Sequence, residues 1–293
     1  MKSDIKIAIA SGKGGTGKTT VAVNLFYAIK DLIDNEIQLI DCDVEEPNDK
    51  IFVKGNIYSE KNVTLDIPVI NENKCIYCGR CAEFCAYNAI LFIKSTRHIK
   101  VIEDLCHGCG ACSYACNVPD VISLKKKILG KVSKYKVDDN AELVEGKLNI
   151  GEAIAVPVIK SAKKQAKKNS FVIYDSPPGT SCPVLETIHN VDYVILVTEP
   201  TPFGLNDLKI MVETIKKLKL EKKIGIVINR AGLGSNQIFD YLKNENIEIL
   251  MEIPFDKKIA KIYSKGEIIV DKLPEIKEKY IKLFEKINAQ IIG

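Results

Sequence analysis

No stretch of this sequence approaches the ~20 apolar residues a helix needs to cross a bilayer. No cleavage signal precedes the first strand-like segment, "MKSDIKIAIA". Both absences lead to the expectation of a cytoplasmic protein with no membrane association. An excess of one charge is missing too: 42 Lys and Arg face 38 Asp and Glu, for a formal net charge of +4. The lysine runs at Lys125 to Lys127 and Lys163 to Lys168 therefore read as solvated faces, and no nucleic-acid partner is expected. Cysteine is absent after Cys182, and eight of the 10 cysteines fall in two short runs. In a reducing compartment that pattern favours metal ligation over a disulfide framework.

The 293 residues are 46% hydrophobic, enough for one large α/β domain and a small one. Short apolar runs at Ile5 to Ala10, Ile37 to Ile40, Phe171 to Tyr174, Tyr193 to Val197, Ile224 to Ile228 and Ile247 to Ile253 read as strands. Helical patterns at Lys18 to Leu32, Gly151 to Lys168, Leu205 to Leu218, Ile238 to Asn244 and Pro274 to Gln290 alternate with them. This is the rhythm of a mostly parallel sheet with flanking helices, and the nearly all-apolar strands suit a sheet covered on both faces. Residues 55–146 break the rhythm with short β-like pieces and both cysteine runs. They read as a small α+β domain inserted into a host made of residues 1–54 and 147–293.

"GKGGTGKT" fits G-x-x-x-x-G-K-[ST] directly after a strand and at the start of a helix. Gly12, Lys13, Gly14, Gly15, Thr16, Gly17, Lys18, Thr19 and the next residue, Thr20, form a candidate phosphate cradle: inward-turned N–H groups and a helix N-terminus favour anionic oxygen. Lys18 is expected on the β- and γ-phosphates of ATP, and the Thr19 hydroxyl on Mg²⁺. Acidic residues end two other strands: Asp41 and Asp43 in "DCDVEEPN", and Asp175 in "YDSPPGT". Ligands collect at such strand ends in open α/β sheets. Asp175 suits the Mg²⁺-side carboxylate, and the Gly179 N–H is placed to report on the γ-phosphate.

The two cysteine runs are "CIYCGRCAEFC", from Cys75 to Cys85, and "CHGCGACSYAC", from Cys106 to Cys116. Zinc sites take ligands as separated pairs, whereas each run here places three thiolates in one tight loop. In two-cluster ferredoxins the fourth cysteine of each run serves the other cluster. Applied here, Cys75, Cys78, Cys81 and Cys116 hold one [4Fe–4S] centre, and Cys106, Cys109, Cys112 and Cys85 the other. Ala86 and Asn117 stand where ferredoxins usually have proline. His107 is expected to be a loop residue that at most tunes hydrogen bonding.

In "KGGTGKT", Lys13 stands two residues before the second glycine, Gly15, and resembles the signature lysine of the deviant phosphate loop in MinD/ParA ATPases, the group that includes the nitrogenase iron protein. "DCDVEEPN", "YDSPPGT", and "INRAG" followed by "IPFD" resemble that group's motifs in order. With the cysteine runs, the whole chain resembles MinD-superfamily ATPases carrying an inserted two-[4Fe–4S] ferredoxin domain. The resemblance implies that Lys13 reaches a partner subunit's phosphates and that Asp43 orients the attacking water. It also implies that Asn229 reads the adenine edge and that Pro254 lines the base pocket.

It further implies a dimer, of two identical chains or of this chain with a related one, and a redox partner protein. The leading expectation is an ATPase whose nucleotide state controls electron transfer through the clusters. A cluster-assembly or carrier ATPase is the alternative, although the scaffold ATPases of the superfamily use a C-terminal C-x-x-C that is missing here. A MinD-like positioning protein is another, but Ile276, Tyr280, Phe284, Ile287 and Ile291 on one helical face are expected to pack on the sheet. Cys182, seven residues after Asp175, sits at the offset of a cluster ligand in the nitrogenase iron protein. It reads either as a ligand or electron acceptor near the subunit interface, or as a residue packed beneath a helix begun by Pro183. Cys42 reads as a small buried residue.

Overall fold

The computed structural model describes residues 4–218, 224–234 and 236–292. Strand β1 (Ile5–Ala10) is apolar on both sides, and its alternation sends Ile7 and Ile9 to one layer of core and Ala8 and Ala10 to the other. The chain continues through α1 (Lys18–Ile29), β2 (Glu36–Asp41), α2 (Asp49–Phe52) and the long β3 (Asn56–Ile70). A small lobe follows, holding α3 (Arg80–Glu83), the ribbon β4 (Ile90–Ile93) and β5 (His98–Val101), and α4 (Ala111–Ala115). The equally long β6 (Ile122–Lys136) returns to the body, followed by β7 (Ala141–Leu148), α5 (Val156–Lys163), β8 (Ser170–Asp175), α6 (Cys182–Ile188) and β9 (Tyr193–Thr198). The last elements are α7 (Pro202–Lys217), β10 (Ile224–Ala231), α8 (Gln237–Asn244), β11 (Glu248–Pro254), α9 (Lys257–Ser264), α10 (Ile269–Lys272) and α11 (Pro274–Ile292).

Nine strands form one sheet in the order β11-β10-β9-β1-β8-β2-β7-β6-β3. Every pairing from β11 to β7 is parallel, while β6 runs antiparallel to both β7 and β3. One face is covered by α1, α10 and α11, and the other by α5, α6, α7 and α8. Ile276, Tyr280 and Ile287 of α11 are buried there, with Phe284 and Ile291 packed beside them. No helix among the described residues is long and apolar enough to cross a membrane.

Residues 56–70, 122–136 and 141–146, read from the sequence as part of the insertion, lie in the main sheet. Residues 71–121 hang from the far ends of β3 and β6, where Ile70 pairs with Ile122. The helix expected from Gly151 begins only at Val156, because the preceding segment is a turn in which the Asn149 N–H reaches Leu129 O and the Glu152 N–H reaches Asn149 O. In the lysine runs, Lys125, Lys126, Lys164 and Lys168 are exposed as expected, but Lys163 is half-buried and donates from Nζ to Thr187 O at 3.0 Å and His189 O at 2.8 Å, capping the end of α6.

Candidate functional site

The sheet register aligns Ile9 of β1 and Asp41 of β2 with Asp175 of β8, so the segments leaving these three strands meet at one sheet edge. The phosphate loop turns into α1 at Gly17, whose φ of 97° suits glycine. A Cβ there would also lie 2.3 Å from Asn229 Nδ2. That amide donates to Thr16 O at 2.8 Å, so the end of β10 braces the loop. Asn229 Oδ1 accepts from the Arg230 N–H at 2.9 Å, leaving one N–H and one lone pair of the side chain for another partner. Pro254 ends β11 in register with Ala231, two residues beyond Asn229. Nothing stands within 4 Å of a Cβ placed on Gly14 or Gly15, so the outer side of the loop is open.

Thr19 Oγ1 donates to Asp175 Oδ2 at 2.6 Å, while Asp175 Oδ1 is buried with no hydrogen-bond partner. Burial pushes the Asp175 carboxyl up to about 7 and that of Asp43 up to about 6. Lys18 is 7% exposed; desolvation lowers its pKa, and Asp175 and Asp43 pull it back up. Asp41 is buried and accepts from the N–H groups of Asp43 at 3.0 Å, Asn48 at 3.0 Å and Asp49 at 3.1 Å. It therefore shapes the loop that carries Asp43. The Gly179 N–H donates to Ser11 O at 3.0 Å, and contact with a γ-phosphate requires that bond to break. Lys13 Nζ lies 3.8 Å from Glu199 Oε2, and Arg230 Nη1 lies 2.7 Å from Glu199 Oε1.

This donor set fits hydrated Mg²⁺. An orphaned carboxylate oxygen sits beside a hydroxyl in a group of acids that has one buried lysine, and Mg²⁺ needs only one or two protein ligands besides water and phosphate. Two acids here were not singled out from the sequence. Glu199 ends an apolar strand, the same signal that marked Asp41 and Asp175. Asp49 is buried with neither carboxylate oxygen hydrogen-bonded, and no periodicity points to it.

In the small lobe the cysteine runs adopt matching turns. Tyr77 and Gly79 in the first run, and Gly108 and Gly110 in the second, have positive φ, after which α3 and α4 begin. Cys85, Cys106, Cys109 and Cys112 line one pocket. Around Cys81 the interacting sulfurs are those of Cys75, Cys112 and Cys116. The fourth cysteine of each run thus lies near cysteines of the other run, and none of the 10 cysteines forms a disulfide. Backbone N–H groups of Tyr77 and Ala89 point at the sulfurs of Cys75 and Cys85, at 3.4 and 3.3 Å. Among the described residues, no three His, Cys, Asp or Glu side chains converge closely enough to hold a metal ion. His107, beyond its expected role as a loop residue, stacks on Tyr87 with ring centroids 3.7 Å apart. Cys42 is fully buried, while Cys182 is exposed at the first position of α6, ahead of Pro183. Packing beneath the helix does not describe Cys182.

Residues 7–269 match the CobQ/CobB/MinD/ParA nucleotide binding domain, and the chain belongs to that family of P-loop ATPases. An uncharacterized protein of Methanocaldococcus jannaschii is 38% identical over 267 residues, covering 89% of this chain and 90% of that one. The iron-sulfur cluster carrier protein of the same organism is 23% identical over 308 residues, covering 98% and 85%. Among solved structures, the septum site-determining protein MinD of Pyrococcus horikoshii, complexed with Mg-ADP, superposes with a TM-score of 0.57 at 21% identity, covering 97% and 96% of the two chains. That similarity shows the fold.

Proposed function

We propose that this chain hydrolyses ATP as a dimer and that its nucleotide state controls electron transfer through two [4Fe–4S] clusters. The observation that supports this reading is the meeting of the two cysteine runs in one lobe, where Cys85 lines a pocket with Cys106, Cys109 and Cys112 while Cys116 lies near Cys75 and Cys81; the lobe's strand β6 is joined to β2 of the nucleotide site through β7. Residues 71–121 form the core of the inserted domain, and the body supplies the ATPase. Lys18 neutralises the β- and γ-phosphates, while Thr19 and Asp175 hold Mg²⁺, which relieves the crowding of carboxylates. Asp43 orients the attacking water, and its raised pKa suits a residue that takes a share of the proton. Lys13 must leave Glu199 to reach a partner's phosphates. Cys75, Cys78, Cys81 and Cys116 would hold one cluster and Cys106, Cys109, Cys112 and Cys85 the other. Burial holds the thiols of Cys81 and Cys112 above their ordinary pKa, so ligation displaces protons from both. Each cluster, when bound, supplies a one-electron donor and acceptor.

The test is anaerobic EPR of the reduced protein with and without ATP, alongside metal and sulfide analysis. About eight iron atoms and about eight labile sulfides per chain are expected, with an EPR signal that responds to ATP. Tightly held zinc without sulfide overturns the reading. A second reading, a cluster carrier ATPase, is favoured by the relatives of that name. It predicts transfer of intact clusters to an apo-protein rather than ATP-dependent electron flow.

A further inference from the structure

The two cysteine sets do not face the same surroundings. The pocket of the second set is walled by Asp66, Pro68 and Leu124 of the β3–β6 hairpin and by the stacked Tyr87 and His107. Cys85 and Cys106 pack with the main core, although Cys109 reaches the surface. The first set opens outward. Cys78 is exposed and lines a broad concavity with Gly79, Glu83, Leu91, Phe92 and Ile102, Glu83 being its one charged lining residue.

The wall of that concavity is the β4–β5 ribbon. Leu91 pairs with Lys100 and Ile93 with His98, so these four side chains share the outward face, while Ile90 and Ile99 turn inward. Leu91, Ile93 and Ile102 are about 40% exposed, a set of apolar side chains that nothing among the described residues covers. Residues 89–102 contain no Asp or Glu but carry Lys94, Arg97, His98 and Lys100. The next two residues, Glu103 and Asp104, are occupied by Lys125 and Lys127. Lys94 and Lys100 have no ion pair among the described residues. A basic, apolar-centred face beside an exposed cluster thiolate is the complement of an acidic electron-carrier protein.

We infer that the outer face of the β4–β5 ribbon is the docking surface for an acidic iron–sulfur electron carrier, and that electrons enter at the first cysteine set and pass inward to the second. The inference rests on the cluster reading above. In the step itself a reduced [2Fe–2S] carrier gives one electron to the oxidised first cluster and returns to its own oxidised state, with no bond made or broken and no proton moved.

The test uses the full, cluster-loaded protein and an acidic plant-type [2Fe–2S] ferredoxin as probe. Bleaching of the clusters is followed anaerobically after mixing with reduced ferredoxin or with dithionite. Binding of oxidised ferredoxin, where no electron flows, is measured separately by biolayer interferometry. Lys94→Glu combined with Lys100→Glu leaves Arg97 on the Tyr77 ring, 5.3 Å from its centroid, so the ribbon keeps its packing. This double variant should slow reduction by ferredoxin and weaken its binding about tenfold at low salt, with the difference shrinking as salt rises. Reduction by dithionite should be unchanged. Equal ferredoxin rates and affinities for wild type and variant overturn the inference, as does binding of a short RNA in place of ferredoxin. If dithionite fails to bleach the wild type, the cluster reading itself has failed and the inference falls with it.

Discussion

The Leu148 N–H donates to Val44 O at 2.7 Å, tying the residue after Asp43 to the last residue of β7. β7 pairs with β6, which carries the small lobe, and Lys127 of β6 bridges Asp104 in the lobe and Glu152 before α5, each at 2.9 Å. A displacement of the Asp43 loop on nucleotide binding therefore has a short bonded route to the cysteines. Lys127→Met should shrink the ATP-induced change in the EPR spectrum severalfold while leaving iron content and hydrolysis near wild type. An undiminished ATP response would place the route elsewhere.

Removing either lysine of the phosphate loop should stop catalysis by different means. Lys18→Ala should lower phosphate release by about 10²–10³-fold through loss of direct charge stabilisation. Lys13→Ala should lose hydrolysis and nucleotide-dependent dimerisation together, read by phosphate release and by light scattering with a non-hydrolysable ATP analogue. Hydrolysis by Lys13→Ala at the wild-type rate refutes a role across the dimer.

The acidic group also sets a pH dependence. Asp43 titrates at about 6 when folded against 3.8 ordinarily, because burial disfavours its charged form. The folded protein thus holds this proton more tightly than the unfolded chain, and the stability associated with Asp43 is present below pH 3.8 and lost as pH rises through about 6. Asp175, pushed up to about 7, extends the same slope. Without nucleotide, Asp43→Asn should match wild type near pH 4 and exceed it by up to about 2 kcal/mol at pH 7.5 in urea melts. A constant gap across this range contradicts the assignment.

Crossed ligation predicts which cysteine losses combine. Cys85→Ser with Cys109→Ser should remove one cluster and leave about four iron atoms per chain. Cys85→Ser with Cys78→Ser should remove both. Iron analysis and EPR spin counting decide, and the reverse result means that each run ligates its own cluster.

Cys182 is exposed on the segment that leaves the Asp175 loop. If it serves as a bridging ligand or electron acceptor between subunits, Cys182→Ser should lower ATP-dependent electron transfer to an artificial acceptor without changing hydrolysis. Unchanged transfer and iron content eliminate that role.

The phosphate loop and its acids were legible because each lies in contiguous residues after an apolar strand, and the cysteine runs because their spacing repeats within a few residues. Of the parallel strands, β1, β2, β8, β9, β10 and β11 were legible for the same reason, being mostly apolar runs, whereas β7, which carries Glu142, Glu145 and Lys147, was not. β3 and β6 were not. β6 carries Lys125, Lys126, Lys127, Lys131, Lys134 and Lys136, and it belongs to the sheet through pairing with β3 and β7, a long-range property. Asp49 went unnoticed because a buried carboxylate is defined by its surroundings, whereas Glu199 carried the strand-end signal of Asp41 and Asp175 and was passed over. The neighbours of Cys81 and the Tyr87–His107 stack likewise exist only once the two runs are folded together.

The chain departs for the small lobe and returns from it at Ile70 and Ile122, which are already partners across two strands. Such an attachment is portable. Replacing residues 71–121 with a two-residue turn would leave an ordinary hairpin at the margin of an intact sheet. The same pairing confines the covalent change to one end of the hairpin, and what the body loses is the cover that Ala89 and Cys106 give to Val63, Leu65 and Ile67.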